Sequence, residues 1–494
     1  MGRFAYGWAV NRRQFLQQSA RAVPIAAALR AISARALDAD APVVVVGAGL
    51  AGLRTADLLR KAGTPVVVLE AQARAGGRVL TLRAPFSEGL HAEAGPIRFA
   101  SAHRAVLRAV RAYRLPLVSF EPLGASVTAV GGRPVTTLEG QRRWQLDLTP
   151  NEQNKTPAAL LDQYVGELPR TLADPSVSAS ALADWQLFDR VTWPEWLRSR
   201  GASAGAITLM TLGGDSSGVS ALYVLRQYAM LRASTQRYRI GGGMDRLPAA
   251  MAASLEGIIR YNAPVVRIER QSAGVRVTYR EGAAVRSMTA GRVVLALPVT
   301  TLRQIEMKPR LSRRKEQAIE RLSYYDAVRF MLQVKRPFWR AAGLSGSART
   351  DRATEIWDAA DDQGATSRGI LGATVGGEMA RRADAVAPGA TLSMGVDLVA
   401  DAFPDIRSEF ENGAVHRWRA DPWALGAFAL YRPGEMTTLM SELASAESGC
   451  HFAGEHTSSW TGWMEGALES GERAAREVLS AMGRPWPEPA SPAR

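Results

Sequence analysis

Gly47, Gly49 and Gly52 stand in a G-x-G-x-x-G spacing, and Glu70 follows about 20 residues after it opens. That combination suits a dinucleotide. Gly47 makes the tight turn, Gly49 lets the backbone close on a pyrophosphate, Gly52 lets helix and strand pack, and Glu70 accepts from a ribose hydroxyl. The elements that must hold these groups are legible around them. Val43-Val44-Val45-Val46 reads as a strand buried on both faces of a parallel sheet. Residues 50–62 place Leu50, Leu53, Ala56 and Leu59 on one helical face, and Gly63 supplies a left-handed stop. The helix turns its N-terminus, Leu50 and Ala51 included, toward the phosphates, and residues 65–69 form a second buried strand ending on Glu70.

Four further motifs narrow the chemistry. They are Ala71-Gln72-Ala73-Arg74-Ala75-Gly76-Gly77-Arg78, Glu93-Ala94-Gly95-Pro96-Ile97-Arg98, Phe452-Ala453-Gly454-Glu455-His456-Thr457 and Gly462-Trp463-Met464-Glu465-Gly466-Ala467. Across residues 41–482 they resemble the FAD-dependent amine oxidases, most nearly the L-amino-acid oxidase branch. Matching motifs at both ends of the chain are far more specific than either alone. The resemblance implies FAD, with Ala71, Gly77 and Arg78 beside its ribose and phosphates and the Val266 backbone at adenine. Glu455 is then expected at the ribityl and phosphate region, with Gly462, Trp463, Met464 and Ala467 around the ring. Gly95, Pro96 and Ile97 would lay their backbone against the flavin, and Arg98 would grip a substrate carboxylate by both oxygens.

By the same resemblance Trp463 forms one wall of a substrate cage, and Trp357 falls near the opposite wall, with core packing as its alternative. Many relatives keep a lysine near flavin N5. Here that position falls on Arg329, a bulkier group that cannot lose its proton. The implied reaction is oxidative deamination of L-amino acids, with hydride passing from Cα to flavin N5 and oxygen as acceptor. The products are a 2-oxo acid, ammonia and hydrogen peroxide. Amine or polyamine oxidation and decarboxylating monooxygenation are the alternatives, and a flavoprotein whose helical insert binds a partner is a fourth. FAD is expected without a covalent bond: residues 427–431, where monoamine oxidases carry a tethering cysteine, read Ala-Phe-Ala-Leu-Tyr, and Cys450 is the single cysteine. Trp357, Phe428 and Trp463 favour large hydrophobic or aromatic substrates, whereas Asp215 would suit a basic side chain.

At 494 residues the chain exceeds one ordinary domain, and 47% hydrophobic with 22% charged residues places it among folded proteins. The net charge of +14 does not mark a nucleic-acid binder, because the arginines are scattered and Arg313-Arg314-Lys315 reads as a solvated helix start. The expected class is α/β. A Rossmann-like FAD-binding domain is assembled from the discontinuous segments 41–100, 237–298 and 441–482, with a mixed α+β substrate domain from 101–121 and 299–440. Residues 122–236 form a helical insert at the entrance, and 483–494 a flexible tail. Ser101 is expected to cap a helix, and residues 275–279 and 293–298 to close the flavin sheet.

In residues 1–40, Asn11-Arg12-Arg13-Gln14-Phe15-Leu16 resembles a twin-arginine signal, followed by an apolar stretch and Ala34-Arg35-Ala36. Export to the periplasm or beyond is expected, with a retained helix in a cytoplasmic enzyme as the alternative. Nothing there reaches the roughly 18 apolar residues of a membrane span. The five histidines show no metal spacing and are expected to be solvated or capping. The family habit suggests a homodimer.

Overall fold

The computed structural model describes residues 41–487 apart from 137–143, 169, 178–180, 182–184, 215, 233, 272–273 and 365. The twin-arginine segment and Asp215 lie outside the described residues. Val43–Val46 is the middle strand of a five-stranded parallel sheet, ordered Ile259–Arg260, Val66–Leu69, Val43–Val46, Arg292–Leu295, Cys450–Phe452. Its four valines divide by alternation. Val43 and Val45 pack with the Leu50–Lys61 and Met464–Ala481 helices, while Val44 and Val46 face a second core on the other side. Covering both faces is what selects an unbroken apolar run. Gly63 ends the first helix at φ +69, as its position implies.

Residues 275–279 do not join this sheet. Gly274–Glu281 pairs with Ala284–Ala290 and Val265–Gln271 in a separate four-stranded sheet that Glu306–Lys308 completes. The reason is in the alternation: Val275, Val277 and Tyr279 are buried, and Arg276, Thr278 and Arg280 are not, which suits a sheet covered on one face.

A seven-stranded sheet runs Phe410–Arg417, Ala327–Val334, Gly369–Gly376, Glu355–Asp358, Leu344–Thr350, Ala125–Val130, Arg133–Thr136. Two of its strands therefore come from the stretch expected to be all helical. Their buried positions in Ala125–Val130 are small residues, a faint period-2 signal. The helices of the insert begin at Pro157–Val165, where Thr156 caps Ala159 at 3.1 Å, and end with Ala221–Arg232.

Two polar expectations change. Lys315 is not solvated: it is buried, donates to the carbonyls of Glu442 and Ser445, and lies 4.1 Å from the Phe452 ring centre. His103, His451 and His456 are buried as well. Among the described residues no His, Cys, Asp or Glu cluster could hold a metal, and no helix is long and apolar enough to cross a membrane.

Candidate active site

The turn after Val46 shows which glycines the protein needs for itself. Gly47 has φ +102, and a Cβ on it would lie 2.6 Å from the Ala296 carbonyl oxygen. Gly49 is different. Its φ of −74 is ordinary, and a Cβ there would meet nothing within 4 Å. The chain itself does not require a glycine at that point, whereas a ligand pressed against the backbone does. Gly49 bridges Gly76, and a Cβ on Gly77 would point at the Gly49 Cα from 3.6 Å, so two bare backbones face one another. The Leu50–Lys61 helix starts here with no side-chain cap, leaving its first N–H groups for an anion.

The rest of the nucleotide half follows. Glu70 accepts from the Ala48 N–H at 2.6 Å and the Gln72 N–H at 2.8 Å; burial raises its pKa against their pull. Val266 sits at a bulge: Val265 pairs with Tyr279 and Arg267 with Thr278, so Val266 itself has no partner residue in that register. Bare cradle, helix terminus, ribose acid and bulged strand together fit FAD.

Glu455 joins the two ends of the chain. It accepts from Arg78 Nη1 at 2.7 Å, the Ala429 N–H at 3.2 Å and the Gly462 N–H at 2.8 Å. Burial alone would raise its pKa, but Arg78 above all holds it below the usual carboxylate range. Arg78 also donates to the Ala427 carbonyl at 3.1 Å. Gly462, exposed at φ +82, lies against Phe428, and the helix Met464–Ala481 opens just beyond it with Trp463 as N-cap and no side-chain cap. Met464 is buried in the helix-side core, which Ala467 packs against.

Trp463 is held from two sides. Its Nε1 donates to Gln227 Oε1 at 2.9 Å, and Gln227 Nε2 donates to the Ser459 carbonyl at 3.2 Å, so the helical insert grips the loop that carries Trp463. His103 stands edge-on to both Trp460 and Trp463 at 4.7 Å. Burial pushes its imidazole down to about 3, which keeps it neutral. The helix after Arg98 spans Arg104–Ala112 and is not capped by Ser101. Glu465, from the far end of the chain, accepts from the Ala105 and Val106 N–H groups at 2.8 and 2.9 Å.

Arg98 is tethered through the same region. Ala94 and Gly95 donate to the Leu80 carbonyl at 3.0 and 3.1 Å, and Gly95 packs against the Arg78 carbonyl with no room for a side chain. From there the Arg98 guanidinium reaches Glu355 Oε1 through Nη1 at 2.5 Å and lies 5.4 Å over Phe120. Arg329 belongs to the same cluster, stacked 4.9 Å over Trp357. Trp357 takes the core alternative: it is 3% exposed, packed with Ile97, Phe120 and Met331, and its ring covers Gly372, where a strand glycine makes room for it. It supports Arg329 from below and does not form an open wall.

The charges do not cancel. Burial pulls Arg329 down only to about 10, so it stays cationic at neutral pH, and Glu355 stays ionised because Arg98 and Arg329 outweigh its burial. Glu93 contributes no counter-charge, since burial pushes its carboxyl up to about 8. Two guanidiniums face one carboxylate. Glu355, Glu465, Gln227 and His103 were not singled out from sequence. The one available signal was the Glu355-x-Trp357 spacing, which sets both side chains on one face of a strand.

Residues 50–479 match the family described as flavin containing amine oxidoreductase. The YobN protein of Bacillus subtilis (strain 168), named as a candidate L-amino-acid oxidase, is 31% identical over 457 residues, covering 88% of this chain and 94% of the relative. L-amino acid oxidase Lm29 of Lachesis muta is 28% identical over 458 residues, covering 90% and 88%. Among solved structures, wild-type putrescine oxidase bound to putrescine superposes with a TM-score of 0.77 at 23% identity, over 89% of this chain and 99% of that one, a likeness of fold.

Proposed function

The chain belongs to the flavin-containing amine oxidoreductases, and on that premise we propose that it oxidatively deaminates L-amino acids, large hydrophobic ones foremost, with non-covalent FAD and oxygen. The observation that carries this reading is the positively charged cluster around Arg98. Arg98 spends one nitrogen on Glu355, and with Arg329 beside it the positive charge outweighs that single carboxylate. A substrate carboxylate supplies a further anion. The surplus positive charge also disfavours a protonated amine nearby, and the neutral amine is the form that can give up the Cα hydrogen as hydride. Trp463, fixed by Gln227 and His103, walls the amine side and excludes water. FAD, when bound, takes up the hydride and returns the electrons to oxygen as hydrogen peroxide. The non-covalent reading rests on the cysteine count: residues 427–431 contain none, and Cys450, the single cysteine, is buried in an edge strand of the flavin sheet.

An amine lacking a carboxylate is the second reading, favoured by the ionised Glu355 in the same cluster. The test is anaerobic flavin reduction and peroxide release with L-amino acids set against matched amines, in the wild type and Arg98→Met. Loss of one bidentate charge-assisted contact costs about 1.5–3 kcal/mol, so kcat/KM for amino acids falls by roughly 10- to 150-fold while amines hold. Reduction by amines alone, or indifference to Arg98→Met, rules the amino-acid reading out.

A further inference from the structure

The register of the seven-stranded sheet sets Arg329 opposite Thr374, and Thr374 opposite Glu355, in one row across three strands. Their immediate neighbours Val328, Phe330, Ala373, Val375 and Ile356 all belong to the core on the other side of the sheet. The row therefore shares a single face, and Arg98 reaches that face at its Glu355 end. Two of its polar atoms have no partner. Arg329 Nη1 is shielded from solvent without an acceptor, and the Thr374 hydroxyl is likewise unpartnered on a residue only 8% exposed. Buried donors are rarely left unpaired in a folded chain. Two adjacent orphans, beside a guanidinium that has used one nitrogen, mark the place of an oxygen-rich anionic group.

We infer that Arg329 and Thr374 complete, with Arg98, a carboxylate subsite in which Glu355 is the fixed internal counter-charge. Arg329 and Thr374 are then specificity residues: they add donors to the ligand carboxylate beyond those of Arg98. Glu355 is a positioning residue that holds Arg98 by one edge and leaves the other edge free. This rests on the amino-acid reading above and adds to it a second guanidinium and a hydroxyl.

The test is titration of the holoenzyme with benzoate, followed by perturbation of the flavin absorption, with benzylamine as the probe that lacks a carboxylate. Arg329→Met is expected to weaken benzoate roughly 10- to 100-fold and Thr374→Val several-fold, with benzylamine moved less than about 2-fold. Arg329→Lys, which keeps the charge but not the fork, falls between. Glu355→Gln, which removes the internal anion, tightens benzoate. Unchanged benzoate affinity in both Arg329→Met and Thr374→Val overturns the subsite, as does a shift in flavin reduction potential alone, which would assign Arg329 to the cofactor. If Arg329→Met fails to fold or to hold flavin, the near-isosteric Thr374→Val decides. Where the subsite is overturned and Arg98→Met still loses benzoate, the amino-acid reading stands without it; where Arg98→Met is also silent, both fall.

Discussion

Gly49→Ala separates the cofactor's demands from those of the fold. An added methyl at Gly49 meets no protein atom within 4 Å, and the backbone there has an ordinary negative φ. The apo protein should lose only what alanine costs relative to glycine at a helix N-cap, about 1 kcal/mol or less, a melting shift of about 2 °C. FAD should fare much worse, because the methyl stands where the pyrophosphate must touch the backbone. At a free FAD concentration of about 100 Kd, the wild type gains about 2.7 kcal/mol from the ligand, and the variant should gain almost none of it. Gly52→Ala is the contrasting control. Its methyl would run into the Gly47 carbonyl and come within 3.2 Å of Val45 Cγ1, so the apo fold itself should weaken, by about 1–3 kcal/mol. Thermal melts with and without FAD, together with flavin content after purification, read both quantities. Wild-type FAD affinity in Gly49→Ala would refute the placement of the phosphates, and an unfolded apo variant would refute the claim of open space.

Glu465→Ala should leave two N–H groups of the Arg104–Ala112 helix unpaired and cost about 1–3 kcal/mol by denaturant titration, with Glu465→Gln losing less because one acceptor oxygen survives. Glu93 gives a pH signature of known sign. Its carboxyl is raised to about 8 when folded against 4.5 unfolded, so between those values the unfolded chain releases a proton that the native state keeps, and stability falls as pH rises. The full drop is on the order of 3–5 kcal/mol, complete above pH 8. Glu93→Gln preserves the acceptor for the Met244 N–H and should flatten the melting temperature over that range; an unchanged slope would show that the burial of Glu93 is not its source.

The nucleotide half was legible because its signals are local. Four valines, three spaced glycines and an acid at the end of the next strand each act within one strand–helix–strand unit, and the structure sets them as their spacing implies. The misjudged elements depend on distant partners. Ser101 looked like a cap because cap preference is read from the adjacent sequence, yet Glu465 takes the place from the far end of the chain. Residues 275–279 form a strand, but their alternation of buried and polar positions suits a sheet covered on one face and not the flavin sheet. Position alone leaves Trp357 open between a wall and the core, and the glycine across the sheet from it makes the room that the core placement needs. Lys315 and the three buried histidines share the same cause: composition suggests solvent, and packing against another element overrides it.

These contacts also explain why cofactor and substrate are specified so differently by the chain. The groups proposed for FAD come from the flavin sheet and its two flanking motifs, which the Arg78–Glu455 pair ties together. The groups proposed for the substrate are drawn from separate parts: Arg98 from the loop after the first motifs, Gln227 from the helical insert, Arg329, Thr374 and Glu355 from three strands of another sheet. Each of these can vary on its own strand or helix without loosening the phosphate cradle. A fold shared at 23% identity with putrescine oxidase is thus compatible with a different substrate. On the proposed reading these parts bring two guanidiniums to one carboxylate, and that local charge imbalance, more than the net charge of +14 spread over the surface, would select what enters.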